Sequence, residues 1–234
     1  MSTLAAIARG VLVQLPEVTR FASLRRSTNL FSQGQIGDSV YLIEDGLVKL
    51  TRTNNRHGRI ILAILGSGDV IGEECLTGET AAYYADAEVL TPASAYRIPR
   101  DILTRTLSTN PELSAALMTA IVQQKRVLAE KVELLCLQDV EYRILHYLAE
   151  LSSLLRPAPG GEGYQLPITQ LELADLIGAT RETTSTTLNQ LERRGLVRLS
   201  RRLLTIPSPV TLRTAAMART NGQSAAGAAA SGVV

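Results

Sequence analysis

The chain has 234 residues, of which 45% are hydrophobic, and its 24 Lys and Arg residues against 22 Asp and Glu residues give a formal net charge of +2. This length allows one large domain or two smaller ones, and the near-neutral charge excludes a nonspecific polycation, so any affinity for nucleic acid must come from local clustering. No apolar run approaches the roughly 20 residues of a membrane span, and no basic segment leads into an apolar one at the N-terminus. Cys75 and Cys136 lack the spacing of a disulfide framework or a metal site, so we expect a soluble cytoplasmic protein without a metal.

Residues 1–20 are mostly apolar with helical character, and the texture changes to short segments over about residues 21–98. Asp45-Gly46 and the stretch from Asn54 to Gly58 are the expected hairpin turns. The strand-like runs are residues 40–43, 47–51, 60–65, 85–89 and 94–98. Short strands at this spacing predict an antiparallel sandwich or small barrel.

From Pro99 onward the periodicity is helical. A short helix is expected to about Ser108, and Asn110-Pro111 is a strong start signal for a second helix, with Asn110 as its N-cap. The second helix continues to about Leu137 without an internal Gly or Pro. We therefore predict one unusually long helix.

The apolar residues of the long helix lie on two sides. This pattern favours one side packing on the β-domain and the other packing on a second copy as a coiled coil, whereas the alternative is a helix buried inside a monomer. The residues predicted to form the dimer contact are Leu117, Ile121, Leu128, Val132 and Leu135.

A further amphipathic helix is predicted over residues 139–155, and residues 166–207 then carry the pattern of helix, tight turn, helix and wing. Thr169 and Glu172 have the spacing of a capping box, so the first helix is expected to start near Thr169. Thr180 is the expected N-cap of the second helix, whose first turn is polar. Such a turn meets base edges in a DNA-binding helix-turn-helix, but similar helix pairs also occur in proteins that never touch DNA.

An alternating run after Gly195 predicts a two-stranded wing rich in arginine. Its guanidinium groups are numerous enough for several phosphate contacts, although a charge run is also common on a solvated face. The arginines are Arg193, Arg194, Arg198, Arg201 and Arg202. Beyond Pro209 the composition is rich in Ala, Gly and Ser, which predicts a mobile tail.

A β-domain, a long helix and a C-terminal winged helix, in that order, resemble the Crp/Fnr family of bacterial transcription regulators. In the β-domain the resemblance rests on Gly37-Asp38-Ser39-x-Tyr41-Leu42-Ile43-x-x-Gly46 and on Gly68-Asp69-Val70-Ile71-Gly72-Glu73. In the C-terminal part it rests on Ile168-Thr169-Gln170 through Arg181-Glu182-Thr183. The ordered set is far more specific than any one of these motifs.

The resemblance, which covers about residues 20–207, implies an α+β fold, and together with the composition of the C-terminal segment it divides the chain into four parts. These are an antiparallel, jelly-roll-like β-roll that acts as the effector or sensor domain (residues 1–108), a dimerisation helix (109–137), a winged helix-turn-helix DNA-binding domain (138–209) and a disordered tail (210–234).

The resemblance also implies roles for residues of the helix-turn-helix. Arg181 and Glu182 match the arginine and glutamate with which such proteins read guanine and the partner cytosine. Thr186 falls where many members have a second base-reading arginine, so we expect a different half-site at that base pair. The expected DNA-binding residues are Thr169, Gln170, Thr180, Arg181, Glu182, Thr183, Thr186, Arg198, Arg201 and Arg202.

The resemblance leaves the effector unidentified. In cyclic-nucleotide-binding members an arginine and backbone N–H groups hold the cyclic phosphate, a glutamate binds the ribose hydroxyl, and a Thr-Ser pair on the long helix reaches the adenine. Gly72-Glu73 are kept here, but Tyr83-Tyr84 replace the arginine and its following serine, and Leu128-Ala129 replace the Thr-Ser pair. Loss of the arginine removes a contribution of about 1.5 to 3 kcal/mol. We therefore expect no cAMP binding in this mode and no obligatory cofactor.

The candidate effector pocket consists of Ile71, Gly72, Glu73, Cys75, Tyr83, Tyr84, Gln124 and Leu128. Tyr83 and Tyr84 either belong to a pocket for another effector or fill the vacated cavity with their rings. Together with Leu76-Thr77-Gly78 they resemble the cassette of cyanobacterial nitrogen regulators, which sense 2-oxoglutarate. Cys75 is either a redox-sensitive thiol or a small buried apolar residue.

The leading hypothesis is a homodimeric, sequence-specific DNA-binding transcription regulator, allosterically controlled by an effector other than cAMP or independent of any effector. Its expected partners are double-stranded DNA with a near-palindromic site, a second copy of the chain and RNA polymerase, without a membrane. The competing hypothesis is a small-molecule-binding sensory protein whose C-terminal helical domain contacts protein rather than DNA. No nucleophile and base pairing, metal-ligand spacing or phosphate loop indicates an enzyme.

Overall fold

The turn signals of the first hundred residues correspond to two antiparallel sheets of four strands each. The computed structural model describes residues 3–12, 14–55, 58–158, 160 and 163–230, which belong to two compact units, residues 1–131 and 132–234. The strands of the first unit are β1 (Thr19–Leu24), β2 (Asn29–Phe31), β3 (Ser39–Asp45), β4 (Val48–Thr53), β5 (Arg59–Leu65), β6 (Val70–Ile71), β7 (Asp86–Val89) and β8 (Ala93–Pro99). None of the helices within the described ranges has the length and apolar character needed to cross a membrane.

The strands pair in the orders β1-β8-β3-β6 and β2-β7-β4-β5, which together form a β-roll. Val48, Ile71 and Val89 are fully buried in its apolar core. A turn is present at Asp45-Gly46, where Gly46 has φ 85°, but the prediction of a hairpin there is wrong, because the turn joins β3 and β4, which belong to different sheets. A Cβ at Gly46 would lie 2.4 Å from the Pro92 carbonyl oxygen, so a glycine is required there.

All five predicted strands are present, whereas β1, β2 and β6 were not predicted. Five of the six residues of β1 are at least partly exposed, because the strand lies at the edge of its sheet and contributes little to the alternating pattern. Strands β2 and β6 have only three and two residues, too few to show a period. The prediction of helical character for residues 1–20 is correct only for α1 (Thr3–Val11).

The helices that follow the β-roll begin where their capping signals predict. Helix α2 covers Arg100–Thr109, and α3 covers Pro111–Leu137. Asn110 is the N-cap of α3, since its side-chain oxygen accepts a hydrogen bond from the Leu113 N–H at 3.0 Å.

Helix α3 is apolar on two sides, but the predicted dimer contact included residues from both. Leu117 is buried in the core of the β-roll, and Ile121 is partly buried against the same core, so the assignment of these two residues to a dimer contact is wrong. The next residues along the chain, Met118 and Val122, lie about 100° further round the helix and are exposed. The exposed apolar residues of α3 are Met118, Val122, Val127, Leu128, Val132 and Leu137.

The second unit packs a helix-turn-helix against a further helix and a small sheet. Its helices are α4 (Val140–Ser153), α5 (Gln170–Ile177), α6 (Arg181–Arg193) and α7 (Pro209–Ala230), and its strands are β9 (Tyr164–Leu166), β10 (Arg198–Ser200) and β11 (Leu203–Ile206). The sheet order is β10-β11-β9, so β9 adds a third strand to the predicted two-stranded wing. The core includes Leu145 and Leu148 of α4, Leu173 of α5 and Leu191 of α6. The predicted α+β class, with β-roll, long helix and winged helix-turn-helix, is confirmed.

The prediction of a disordered tail over residues 210–234 is wrong over its first part. Helix α7 starts at Pro209, and Leu212 and Ala216 are buried at a spacing of four residues. Arg219, one turn further, forms ion pairs with Asp139 and Glu141 at the start of α4. Two apolar side chains and one arginine on a single face anchor this segment in spite of its composition. Residues 231–234 lie outside the described residues.

Candidate nucleic-acid interface and effector site

Helix α5 begins with the predicted capping box. The Thr169 hydroxyl accepts a hydrogen bond from the Glu172 N–H at 3.1 Å, and the Glu172 carboxylate accepts one from the Thr169 N–H at 2.9 Å. Glu172 Oε2 also accepts from the Thr169 hydroxyl at 2.9 Å. The side chain of Thr169 therefore stabilises the helix start, next to Gln170, the first helical residue.

Helix α6 presents a polar, exposed face immediately after its cap. The Thr180 hydroxyl accepts a hydrogen bond from the Thr183 N–H at 3.1 Å, as predicted. Thr184, Thr187, Leu188 and Leu191 are buried and hold the helix against the domain. The exposed residues of α6 are Arg181, Glu182, Thr183, Thr186, Asn189, Gln190, Glu192 and Arg193. All predicted base-reading residues thus share one accessible face.

Asn189 is a residue that sequence reasoning missed. It lies seven positions after Glu182 and three after Thr186, so the three side chains follow one line along the exposed face. The amide of an asparagine can make a bidentate contact with adenine. Helical spacing from Glu182 was the signal that could have identified it.

The wing carries exposed arginines at its tip and along one strand. Arg198 opens β10, and Arg201 and Arg202 form the turn between β10 and β11, with φ 63° at Arg202. All three side chains are exposed. They form a cationic patch of the kind that contacts phosphates.

Arg194, by contrast, has a carboxylate partner within the domain. Its Nη1 atom lies 2.6 Å from Oε1 of Glu141 in the first turn of α4, and its backbone caps the end of α6. Four of the five arginines of the predicted cluster therefore remain as candidates for phosphate contacts, and Arg194 has a structural role. Arg194 and Glu141 are 53 residues apart, so their ion pair could not be predicted from sequence spacing.

Helix α4 also holds the turn between α5 and α6. Arg143 Nη1 donates a hydrogen bond to the carbonyl of Ile177, the last residue of α5, at 2.6 Å. A cation at this position stabilises the C-terminal end of a helix.

Gly178, in the turn between α5 and α6, has φ 63°. The Leu135 side chain packs so close to Gly178 that an added Cβ would lie 2.6 Å from Leu135 Cδ2. Leu135 is partly buried and packs against this turn of its own domain, and its part in a dimer contact stays a prediction.

In the β-roll, Tyr83 fills the space next to Gly72. Its ring stacks on Phe31 with centroids 3.9 Å apart, and its hydroxyl donates to the Ser39 carbonyl at 2.7 Å and accepts from the Ser39 N–H at 3.2 Å. A Cβ added to Gly72 would lie 3.0 Å from the Tyr83 ring, and one added to Gly37 would lie 2.7 Å from Cys75. Ile71, Gly72, Cys75 and Tyr83 thus form one closely packed cluster.

Tyr84 points away from this cluster and is 54% exposed. The Arg52 guanidinium lies 3.7 Å from the centroid of its ring, and Arg52 Nη1 donates to the Tyr84 carbonyl at 2.8 Å. The two tyrosines therefore have different roles: Tyr83 fills the core, and Tyr84 forms a surface cation–π pair.

Glu73 and Cys75 lie in a short 3₁₀ helix, Glu73–Thr77. Burial raises the pKa of the Glu73 carboxyl to about 7, and the Glu73 backbone N–H opposes that shift only in part. Cys75 is fully buried, and burial raises the pKa of its thiol to about 11. A protonated, inaccessible thiol is a packing group rather than a redox sensor.

The two predicted pocket residues of α3 differ in their environment. Gln124 Nε2 donates to the Val70 carbonyl at 2.6 Å, which ties α3 to β6, and Leu128 is 44% exposed. Within the residues that the structure describes, no group of three or more His, Cys, Asp or Glu side chains could hold a metal ion.

Comparison with known families matches both units. The model of the cyclic nucleotide-binding domain matches residues 21–110, and that of the Crp-like helix-turn-helix domain matches residues 142–215. The protein belongs to the Crp/Fnr family. It is a DNA-binding transcription regulator of that family.

Curated relatives of this Crp/Fnr protein include regulators with different names. The chain is 26% identical to the global nitrogen regulator of Synechococcus elongatus over 189 aligned residues, and this alignment covers 80% of the chain and 85% of the relative. It is 29% identical over 175 residues to the CRP-like cAMP-activated global transcriptional regulator of Mycobacterium tuberculosis, covering 74% and 78%. A CRP-family transcriptional regulator from Thermus thermophilus has the same fold, with a TM-score of 0.73, 24% identity and coverage of 84% and 96%.

Proposed function

We propose that this Crp/Fnr protein acts as a homodimer that binds a near-palindromic DNA site and responds to an effector other than cAMP, or to none. The observation that carries the proposal is the exposed, polar surface of α6 that includes Arg181, Glu182 and Thr186, in the same domain as the arginine-rich wing. A helix with this face enters the major groove, where Arg181 donates to guanine and Glu182 accepts from the cytosine amino group.

The positions around this line divide into reading and positioning roles. Thr186 cannot make the bidentate contact of an arginine, so the half-site differs from the family's commonest one at that base pair. Arg198, Arg201 and Arg202 bind phosphates and set the register without reading sequence. Thr180 and Thr183 are engaged with one another at the helix start, with their oxygens 3.0 Å apart, and fix its first turn.

The dimer forms through the exposed apolar side of α3. Met118, Val122, Leu128 and Val132 are 64%, 43%, 44% and 60% exposed. Met118 and Val122 are four residues apart, as are Leu128 and Val132, and Met118 and Val132 are two heptads apart. Exposed apolar side chains in such a row are better accounted for by a second helix than by solvent. Two joined recognition helices then meet half-sites about one helical turn apart.

The packing of the β-roll supports an effector other than cAMP. Tyr83 occupies the place of the arginine that pairs with a cyclic phosphate in cAMP-binding members, and its two hydrogen bonds to Ser39 hold it there. The tyrosine pair that resembles the cassette of the nitrogen regulators gives 2-oxoglutarate as the first compound to test. An effector that binds one arrangement of the α3 pair better than another shifts the population of DNA-binding dimers, which recruit RNA polymerase.

The proposal is tested by substitution of Glu182. Glu182→Ala should lower discrimination at one base pair by about 1 to 3 kcal/mol and leave the other positions unchanged. The measurement is competition binding at one salt concentration, with duplexes that vary one base pair at a time around a site selected from random sequence. Arg213→Ala, an exposed arginine on α7, is the control and should leave discrimination unchanged. An equal loss on every duplex for Glu182→Ala would contradict base reading by this residue.

A further inference from the structure

Helix α7 follows the winged helix-turn-helix and packs along α4. Leu212 is fully buried, Ala216 is 7% exposed, and Arg219 continues the same line at spacings of four and three residues. This face directs the Arg219 guanidinium to the first turn of α4.

Arg219 contacts two carboxylates at once. Its Nε atom donates to Oδ2 of Asp139 at 3.0 Å, Nη2 donates to the same oxygen, and Nη1 donates to Oε2 of Glu141 at 2.8 Å. The planar guanidinium has the donors to satisfy both acids, which a single ammonium group cannot do in the same geometry.

Asp139 is the residue that starts α4. Its Oδ1 atom accepts a hydrogen bond from the Tyr142 N–H at 2.8 Å, while its other oxygen binds Arg219. Burial alone would raise the pKa of Asp139, but the hydrogen bonds from Arg219 and the Tyr142 N–H hold that pKa below its usual value. The carboxylate therefore stays charged and keeps both of its partners.

Glu141 extends the chain of charges to the recognition helix. Oε2 of Glu141 binds Arg219, and Oε1 binds Nη1 of Arg194 at 2.6 Å. Arg194 is the C-cap of α6, whose first turn carries Arg181 and Glu182. The acids and bases alternate in the order Asp139, Arg219, Glu141 and Arg194, from the start of α4 to the end of α6.

We propose that Arg219 is a positioning residue for DNA recognition, which acts through Glu141 and Arg194 to fix the orientation of α6 relative to α4. Arg143 of α4 holds the end of α5 in the same way, so both helices of the helix-turn-helix are anchored to one helix whose first turn Arg219 clamps. Arg219 contacts acids of its own domain and not DNA.

Substitution of Arg219 should therefore lower the specificity of DNA binding without weakening the nonspecific, charge-dependent part of it. Arg219→Ala weakens binding to the selected duplex about tenfold, within the range for residues coupled in one ion-pair network. Binding to a scrambled duplex and the slope of log K against log salt stay unchanged, because no phosphate contact is removed. Arg219→Lys recovers part of the loss, and Arg213→Ala, which removes the same charge from the exposed side of α7, has no effect on the ratio.

The experiment is fluorescence anisotropy with both duplexes over a salt series, for the full-length wild type and each variant, with circular dichroism as the folding check. Glu141→Gln is the second variant: it breaks the link from Arg219 to Arg194 and should give the same loss, without further loss when combined with Arg219→Ala. The inference about Arg219 rests on the proposed function, and different results would overturn the two proposals. Equal affinity of the wild type for both duplexes overturns the proposed function. Wild-type specificity that both Arg219→Ala and Glu141→Gln retain, or a uniform loss with a shallower salt slope, overturns the inference about Arg219.

Discussion

Tyr83 links the chemistry of the β-roll to its packing. Its ring stacks on Phe31, and its hydroxyl exchanges two hydrogen bonds with the Ser39 backbone. Gly37 and Gly72 border this ring, and a side chain at either position would crowd it. Tyr83 is therefore a buried, neutral side chain with a hydrogen-bonded hydroxyl.

Removal of the Tyr83 hydroxyl should destabilise the protein. Tyr83→Phe leaves the Ser39 carbonyl without the donor that it has at 2.7 Å, so we expect the free energy of unfolding to fall by about 1 to 2 kcal/mol. Tyr84→Phe, at the exposed neighbour, should change it by less than about 0.5 kcal/mol. Urea denaturation followed by circular dichroism measures both. Equal effects of the two substitutions would contradict the assigned difference in burial.

Glu73 gives the β-roll a pH dependence with a defined sign. Burial raises the pKa of its carboxyl from 4.5 to about 7, so the folded state holds a proton that the unfolded state releases. Stability should therefore fall as the pH rises from about 4.5 to about 7. Glu73→Gln removes this contribution and should gain about 2 kcal/mol relative to wild type between pH 5 and pH 8. The measurement is urea denaturation of wild type and Glu73→Gln at pH 5 and pH 8, with Glu79→Gln as the exposed control. A difference in stability between Glu73→Gln and wild type that is the same at both pH values would contradict this prediction.

At the residue level, local signals were predictable and distant pairs were not. The caps at Thr169 and Thr180 and the polar turn after Thr180 follow from spacings of three or four residues, so the sequence predicts them. The partners Arg194 and Glu141 are 53 residues apart, and Arg219 and Asp139 are 80 apart. No periodic pattern connects such residues, because their contact depends on how the helices pack.

At the level of elements, α3 is the proposed dimer contact. A charge in its exposed apolar row should prevent pairing: Val132→Asp places two carboxylates against each other in the proposed coiled coil. We expect a monomer, and at least tenfold weaker binding to a two-half-site duplex because the half-sites are no longer bound together. Val210→Asp changes an equally exposed valine on α7 and should leave the mass unchanged.

Light scattering after gel filtration gives the mass of each variant, and anisotropy gives its affinity. A Val132→Asp variant that keeps the wild-type mass, or a wild type that is itself a monomer, would contradict the proposed dimer contact.

Two predictions about helices were wrong, one for the segment after Pro209 and one for the inward side of α3. The Ala- and Gly-rich segment after Pro209 has too few apolar residues to predict a stable helix, yet Leu212, Ala216 and Arg219 are enough to anchor it on α4. On α3 the reverse occurred, because one helix has two apolar sides and its period cannot tell which of them meets the β-roll. Leu117 and Ile121 were assigned to the wrong side for this reason.

For the whole molecule, the order of the parts carried more information than any single motif. A helix pair and a cluster of arginines occur in many proteins, but their combination with the preceding β-roll and long helix identifies the family, which the two domain matches establish. That order does not predict whether an effector binds or which one, because ligand recognition depends on a few side chains that family membership leaves free to change.

The most direct test of the proposed function is equilibrium binding of the wild-type protein to a duplex selected from random sequence, at one fixed salt concentration, with and without cAMP. The account predicts binding at least about a thousandfold tighter than to a scrambled duplex, which is the lower range for specific regulators, and no change on addition of micromolar cAMP. Tighter binding in the presence of micromolar cAMP, or equal affinity for the selected and scrambled duplexes, would contradict it.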